Sequence, residues 1–234
     1  AADSIRVVSE NLKSRILNLK SSANVFVLPI YLDRQRIENA PIKFDTHTRY
    51  PWHFILLIVS RLAPEKNIDL AIQALSLVRE HFPGTGLLIV GSGPEEKRLK
   101  SLVKKMGLEG AVEFAGWQDD LASFYKTANA FIQASFFEGY GLSLVEAGLS
   151  GLPIISTPVG IANEFQNGKE LFLRELGDVQ GFADAIIDLI ENNQKRENLV
   201  LNMKKALETK LISKEDYMAQ IKYNWERTAK YIKA

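Results

Sequence analysis

Glu138 and Glu146 stand with seven residues between them across the junction of a glycine-containing loop and an apolar helix, Phe137-Glu138-Gly139-Tyr140-Gly141-Leu142-Ser143-Leu144-Val145-Glu146-Ala147-Gly148. Gly139 and Gly141 have no Cβ, so the backbone there turns through positive φ cheaply and lets a ligand come close. The helix that follows aims unpaired N–H groups and the positive end of its dipole at the loop, which favours phosphate. Glu146, about one turn in, then points at hydroxyls of the same ligand. Such a site suits a diphosphate joined to a sugar.

Two cations extend the pattern. In Ser60-Arg61-Leu62-Ala63-Pro64-Glu65-Lys66-Asn67, Arg61 and Lys66 precede a helix, where they can clamp a diphosphate and offset the charge it gains as a leaving group. Alone they read as surface cations. Paired carboxylates also serve glycoside hydrolases, which usually set them on different strands across a cleft. A diphosphate ligand accounts for acids, glycines and cations together; hydrolysis accounts for the acids only.

Val90-Gly91-Ser92-Gly93-Pro94 is a glycine turn that lacks the third glycine and the downstream acid of a dinucleotide fingerprint. Gly93 reads as a wall of a nucleotide pocket. In Phe114-Ala115-Gly116-Trp117-Gln118 the glycine lets the chain turn beside a flat base. Trp117 offers a stacking face, although a packing aromatic is the commoner outcome. Thr157-Pro158-Val159-Gly160, with Glu164 beyond, reads as a boundary of the sugar pocket. His47, His53 and His81 are scattered, and no Asp-x-Asp is present, so no metal is implied.

The elements that must position these residues follow from periodicity. Residues 5–8 and 25–28 read as strands around a helix from Glu10 to about Leu19, capped by Ser9. Residues 33–51 are charged, carry two prolines and lose the pattern, so they read as a linker. Phe54 to Ser60 is a continuous apolar run, the mark of a strand buried on both faces of a parallel sheet. Ile68, Ala71, Ile72, Leu75 and Val78 repeat at a helical period up to Phe82. Strands at 87–90, 112–114, 130–133 and 153–156 alternate with helices at 94–106, 121–128 and 141–149. This alternation predicts an α/β fold with a doubly wound parallel sheet. From Val179 on the chain reads as helical, and its last helix carries Tyr217, Ile221, Trp225 and Ala229 on one stripe. In such a sheet ligands bind at the carboxyl ends of the strands, and every motif above lies there.

The chain has 234 residues, is 46 % hydrophobic and carries a net charge of +1, so nothing in its charge points to nucleic acid. It has no cysteine, which fits a reducing, cytoplasmic setting. No apolar run reaches the roughly 20 residues of a membrane span. Neither a signal peptide nor a repeat is visible.

Taken together, Arg61 with Lys66, Gly91-Ser92-Gly93-Pro94, Gly116, Ser135, and Glu138 with Glu146 around Gly-Tyr-Gly-Leu resemble the retaining glycosyltransferases of two-Rossmann-domain (GT-B) fold that carry a Glu-x7-Glu motif. The resemblance covers about residues 5–190. It implies that Arg61 and Lys66 hold the donor diphosphate and stabilise it as it leaves. Glu138 would face the transferred sugar and Glu146 the ribose. Gly139, Tyr140, Gly141 and Leu142 would line the donor, with amides near Gly141 and Leu142 on the phosphates. Gly93, Trp117 and Gln118 would border the base. A nucleotide sugar is then the substrate, with no cofactor and no obligatory metal.

The same resemblance assigns residues 1–32 to the end of an N-terminal acceptor-binding domain, 33–51 to a linker, 52–212 to the donor-binding domain and 213–234 to a helix that crosses back. The acceptor, a sugar or lipid-linked, and any membrane contact would belong to the intact enzyme. Asn67 stands where the family commonly has glycine, and Ile161 near another usual glycine. Two other readings stay open: a non-catalytic nucleotide-sugar-binding module that partners another chain, and sugar-phosphate phosphorolysis or epimerisation on the same fold.

Overall fold

The computed structural model describes residues 4–18 and 24–232. Two sheets follow from the strand pattern. The first is a parallel pair, β1 (Ser4–Val7) and β2 (Asn24–Val27), joined through helix α1 (Glu10–Asn18). Leu19, the expected end of α1, lies outside the described residues.

The second sheet holds β3 (Phe54–Val59), β4 (Thr85–Val90), β5 (Val112–Gly116), β6 (Ala130–Gln133), β7 (Ile154–Ser156) and β8 (Phe172–Leu173). Its spatial order is β5-β4-β3-β6-β7-β8, all parallel. The order runs one way from β3 to β5 and the other way from β6 to β8. The reversal between β3 and β6 is the topological switch point, where the crevice for a ligand opens.

The continuous apolar run of β3 splits between the two faces of the sheet. Phe54, Leu56 and Ile58 join the core beneath α4 (Ile68–His81), α5 (Glu96–Lys105) and α8 (Val179–Glu191). Ile55 and Leu57 join the opposite core, with α6 (Ala122–Thr127), α7 (Leu142–Ser150) and α9 (Asn193–Lys210). Burial on both faces is why these strands read as unbroken apolar runs instead of alternating ones.

Two expectations change, and one strand had no counterpart in the pattern. The linker is not wholly irregular: it forms α2 (Arg34–Glu38) and α3 (Thr46–Arg49), N-capped by the Asp33 and Asp45 carboxylates. At five and four residues they are too short to show a period. Helix α5 begins at Glu96, two residues past Pro94. Strand β8 has only two residues and left no pattern to read.

The linker is stitched to α6. Lys126 Nζ donates to Glu38 O at 2.7 Å and Ala40 O at 2.6 Å. Lys43 N donates to Ser123 Oγ at 2.9 Å, and Thr46 N to Thr127 Oγ1 at 3.0 Å. The last helix, α10 (Lys214–Ile232), meets the first sheet where Arg6 donates to Tyr217 Oη at 3.2 Å, with the Tyr31 and Tyr217 rings 5.6 Å apart. Trp225 on the same stripe is exposed, while the side chain of Ala229 lies outside the described residues. Among the described residues no helix is long and apolar enough to cross a membrane.

Candidate functional site

Three loops at the carboxyl end of the sheet interlock by backbone and side-chain bonds. The turn after β3 (residues 60–67) meets the loop after β6 (residues 134–141) through Phe136 N, which donates to Glu65 O at 2.8 Å. Asn67 Nδ2 donates to Ala134 O at 3.2 Å. The loop after β7 joins through Thr157 Oγ1 to Ser135 O at 2.6 Å and Ile161 N to Tyr140 O at 2.7 Å.

Asn67 is the one described non-glycine residue at positive φ, 47°. Asparagine tolerates the left-handed region better than other side chains, and its amide adds the bond to Ala134. The departure from glycine therefore keeps the turn and fastens it.

Those bonds bring Lys66 and Glu138 together. Lys66 Nζ lies 2.7 Å from Glu138 Oε1, and Ser135 Oγ donates to the same oxygen at 2.7 Å. Beside them Gly141, φ 100°, is the N-cap of α7, with no side chain capping the helix. Among the described residues the Leu142 and Ser143 N–H groups meet no acceptor. The Lys66–Glu138 pair thus lies beside a bare helix N-terminus at the switch point, and the free N–H groups of that terminus suit an anion. Tyr140 is buried in this loop, and desolvation, with Glu164 nearby, pushes its phenol up to about 12. Its backbone oxygen is only 2.3 Å from where a Cβ on Gly160 would sit, so Gly160, φ 56°, permits the close packing of the two loops.

Arg61 is not drawn into the cluster. It is 69 % exposed and pairs with Glu65 at 3.0 Å. A backbone N–H bond first, and Arg61 second, hold the Glu65 carboxyl below its usual range.

Gly93, read as a wall of a nucleotide pocket, packs its open face against protein. A Cβ there would lie 2.3 Å from Leu62 O and 2.6 Å from Leu62 N. Gly139 is different: a Cβ would meet nothing within 4 Å, and its φ is not positive. Its small size is not required by the protein around it.

Glu146 faces a separate cavity of about 630 Å³ between α7, the start of α6 and the linker. Tyr125 Oη, on a fully buried ring, donates to Glu146 Oε2 at 3.0 Å. Burial raises the Glu146 carboxyl above its ordinary range, and the Tyr125 bond opposes that rise. Asp119, Asp120 and Leu121 line the same space, so the loop after β5 borders the cavity. Trp117 and Gln118 do not line it. Trp117 is 76 % exposed, which rules out the packing role that its type suggested. Gln118 Nε2 turns back to Ala115 O at 2.7 Å.

Tyr125, Asp119 and Asp120 are absent from the sequence reading. A tyrosine beside Phe124 in an apolar helix looks like core. The Asp119-Asp120 pair right after Trp117-Gln118, in a strand-to-helix loop, was the available signal. Among the described residues no group of three or more His, Cys, Asp or Glu is placed to hold a metal.

The family signature described as Glycosyl transferases group 1 matches residues 41–206. The chain is 30 % identical over 161 residues to the lipopolysaccharide core biosynthesis glycosyltransferase LpsE of Rhizobium meliloti, covering 67 % of this chain and 44 % of that protein. It is 34 % identical over 146 residues to the N-acetyl-alpha-D-glucosaminyl L-malate synthase of Bacillus anthracis, covering 62 % and 38 %. It spans less than half the length of both relatives. Anabaena HepE in complex with UDP-glucose superposes with a TM-score of 0.86 at 23 % identity, over 96 % of this chain and 64 % of that one, a likeness of fold.

Proposed function

The chain belongs to the group 1 glycosyl transferases, and we propose from that premise that it supplies the donor-binding half of a retaining hexosyltransferase. The reaction moves a sugar from a nucleotide-diphosphate sugar to an acceptor hydroxyl. The observation that carries the reading is the convergence of Lys66, Glu138 and the uncapped α7 N-terminus at the switch point, with the Glu146 cavity alongside.

In this reading the diphosphate lies on the Leu142 and Ser143 amides, with Lys66 beside it. Both offset the charge that appears as the bond from anomeric carbon to phosphate oxygen breaks, and a preorganised donor set of this kind lowers the barrier without reorganising. Arg61, exposed and paired with Glu65, swings onto the outer phosphate oxygens. Glu138 faces the sugar, and Glu146 accepts from the ribose hydroxyls. The open space in front of Gly139 and Gly116 leaves room for the donor backbone. Asp119 and Asp120 border the base, with Trp117 as an outer stacking face.

The acceptor binds in the cleft against an N-terminal domain of which residues 4–18 and 24–32 form the closing part. No metal is needed, because cations and amides already carry the phosphate charge. A relative of this fold binds UDP-glucose, so uridine is the base to try first.

Calorimetric titration with UDP, GDP and ADP tests the reading. One nucleotide should bind selectively, and Glu146→Ala should weaken it by about 1–3 kcal/mol, the cost of losing a charged hydrogen-bonding partner. Turnover of the intact enzyme should survive a chelator. Absence of binding to every nucleotide, by this chain and by the intact enzyme, would overturn the reading.

A further inference from the structure

We infer that Tyr125 is a positioning residue: through its hydroxyl it fixes the Glu146 carboxylate so that one oxygen is spent on the protein and the other is presented to the ligand. The inference rests on the proposed role of Glu146 in the donor site and deepens it.

The geometry is directional. Tyr125 sits on α6, its ring packed against Phe131 with centroids 5.9 Å apart and its residue only 2 % exposed. A ring held that tightly offers its hydroxyl along one line, and that line ends on Glu146 Oε2 at 3.0 Å. Glu146 lines the cavity, and its Oε1 has no partner among the described residues. A carboxylate accepts through both oxygens. With Oε2 occupied and the carboxyl plane set, Oε1 is left to accept from a diol.

The alternative, a tyrosine buried only to fill space, leaves its hydroxyl position to chance. Phenylalanine would fill the same volume without the cost of burying a hydroxyl. Here the buried hydroxyl meets the single carboxylate of the cavity's α7 wall.

Other charges face the same space. The linker contributes Asp33, Arg36 and Lys43, with the Tyr31 phenol, and the loop before α6 contributes Asp119 and Asp120. Asp120 is already engaged, accepting from Ser123 Oγ at 2.7 Å. Among the described residues only Tyr125 bonds to Glu146.

The test combines two readouts on this chain. The carboxyl carbon of Glu146 is followed by NMR through an acid titration, and UDP affinity is measured across the same range. Tyr125→Phe removes the hydroxyl and keeps the ring. If the hydroxyl favours the ionised carboxylate, the Glu146 midpoint moves to higher pH in this variant. UDP affinity at neutral pH then falls several-fold, and the affinity loss on acidification begins at a higher pH. Combined with Glu146→Gln, the same change should have a much smaller effect.

Fluorotyrosine introduced at position 125 provides a second variant that opens no cavity. It is a stronger hydrogen-bond donor, so it should move the midpoint the other way. An unmoved midpoint in both variants overturns the inference, as does an equal affinity loss with and without Glu146→Gln. If the midpoint moves as expected but Glu146→Ala leaves UDP binding unchanged, the donor-site role of Glu146 fails while the Tyr125 contact stands, and a positioning role in this reaction is overturned with it.

Discussion

Lys66 and Glu138 form an ion pair at 2.7 Å with side chains only 19 % and 12 % exposed. They come from loops on opposite sides of the switch point between β3 and β6. The pair is held from both ends: the Glu65–Phe136 backbone bond sets the spacing of the loops, and Ser135 fixes the carboxylate. A cation placed so firmly needs no rearrangement when charge develops beside it.

Lys66→Ala should therefore lower the turnover of the intact enzyme by about 10²–10³-fold, the range seen when one preorganised charge-stabilising donor is removed. The fall in turnover should exceed the fall in UDP affinity. Steady-state rates beside calorimetry decide it. Unchanged turnover would remove Lys66 from the mechanism.

Glu146 gives a prediction with a definite sign. Its carboxyl is raised above the ordinary range by burial, so the ionised form destabilises the fold. That cost is full above the folded pKa and is relieved as pH falls through it. Glu146→Gln should then raise the melting temperature at neutral pH while weakening UDP binding. A gain of ~1 kcal/mol moves the midpoint by roughly 2–4 °C in a domain of this size. Melts at several pH values check the sign: the advantage must shrink on acidification.

The glycines separate into two kinds. Gly93→Ala puts a methyl 2.3 Å from Leu62 O, against backbone that cannot swing away, and should cost about 1–3 kcal/mol, as overpacking does. Gly139→Ala meets open space and should leave stability within about 0.5 kcal/mol. In the proposed donor pose the methyl points into the open space assigned to the ligand, so UDP binding should still weaken. Denaturant unfolding and UDP titration of both variants separate fold from site. If Gly139→Ala binds UDP as well as the parent, the donor does not pass that way.

Lys126→Met removes both bonds that tie Glu38 O and Ala40 O to α6 while keeping the aliphatic stem. Limited proteolysis should then cut within residues 34–45 faster than in the parent chain. Equal cutting rates would mean that the Ser123 and Thr127 bonds suffice.

The sheet was legible because its central strands, β3 above all, are apolar runs, as burial on both faces demands, and its helices are long enough to show a period. Helices α2 and α3 and strand β8 were not, since each is fixed by caps or neighbours and not by its own pattern. The site divides the same way. Lys66, Glu138 and Glu146 stood out by type and spacing, and the fold brings the first two together and sets the third in a cavity wall. The exposed Trp117 and the Arg61–Glu65 pair depend on rotamers that a sequence does not record. Tyr125 was hidden because its ring belongs to the core and only its last atom belongs to the cavity.

The linker walls the Glu146 cavity and also carries the chain from the β1–β2 sheet to β3. Occupancy of that cavity and the setting of the linker are therefore thermodynamically reciprocal. Whatever free energy an occupant of the cavity gains from one setting of the connection, that setting gains in equal measure from the occupant.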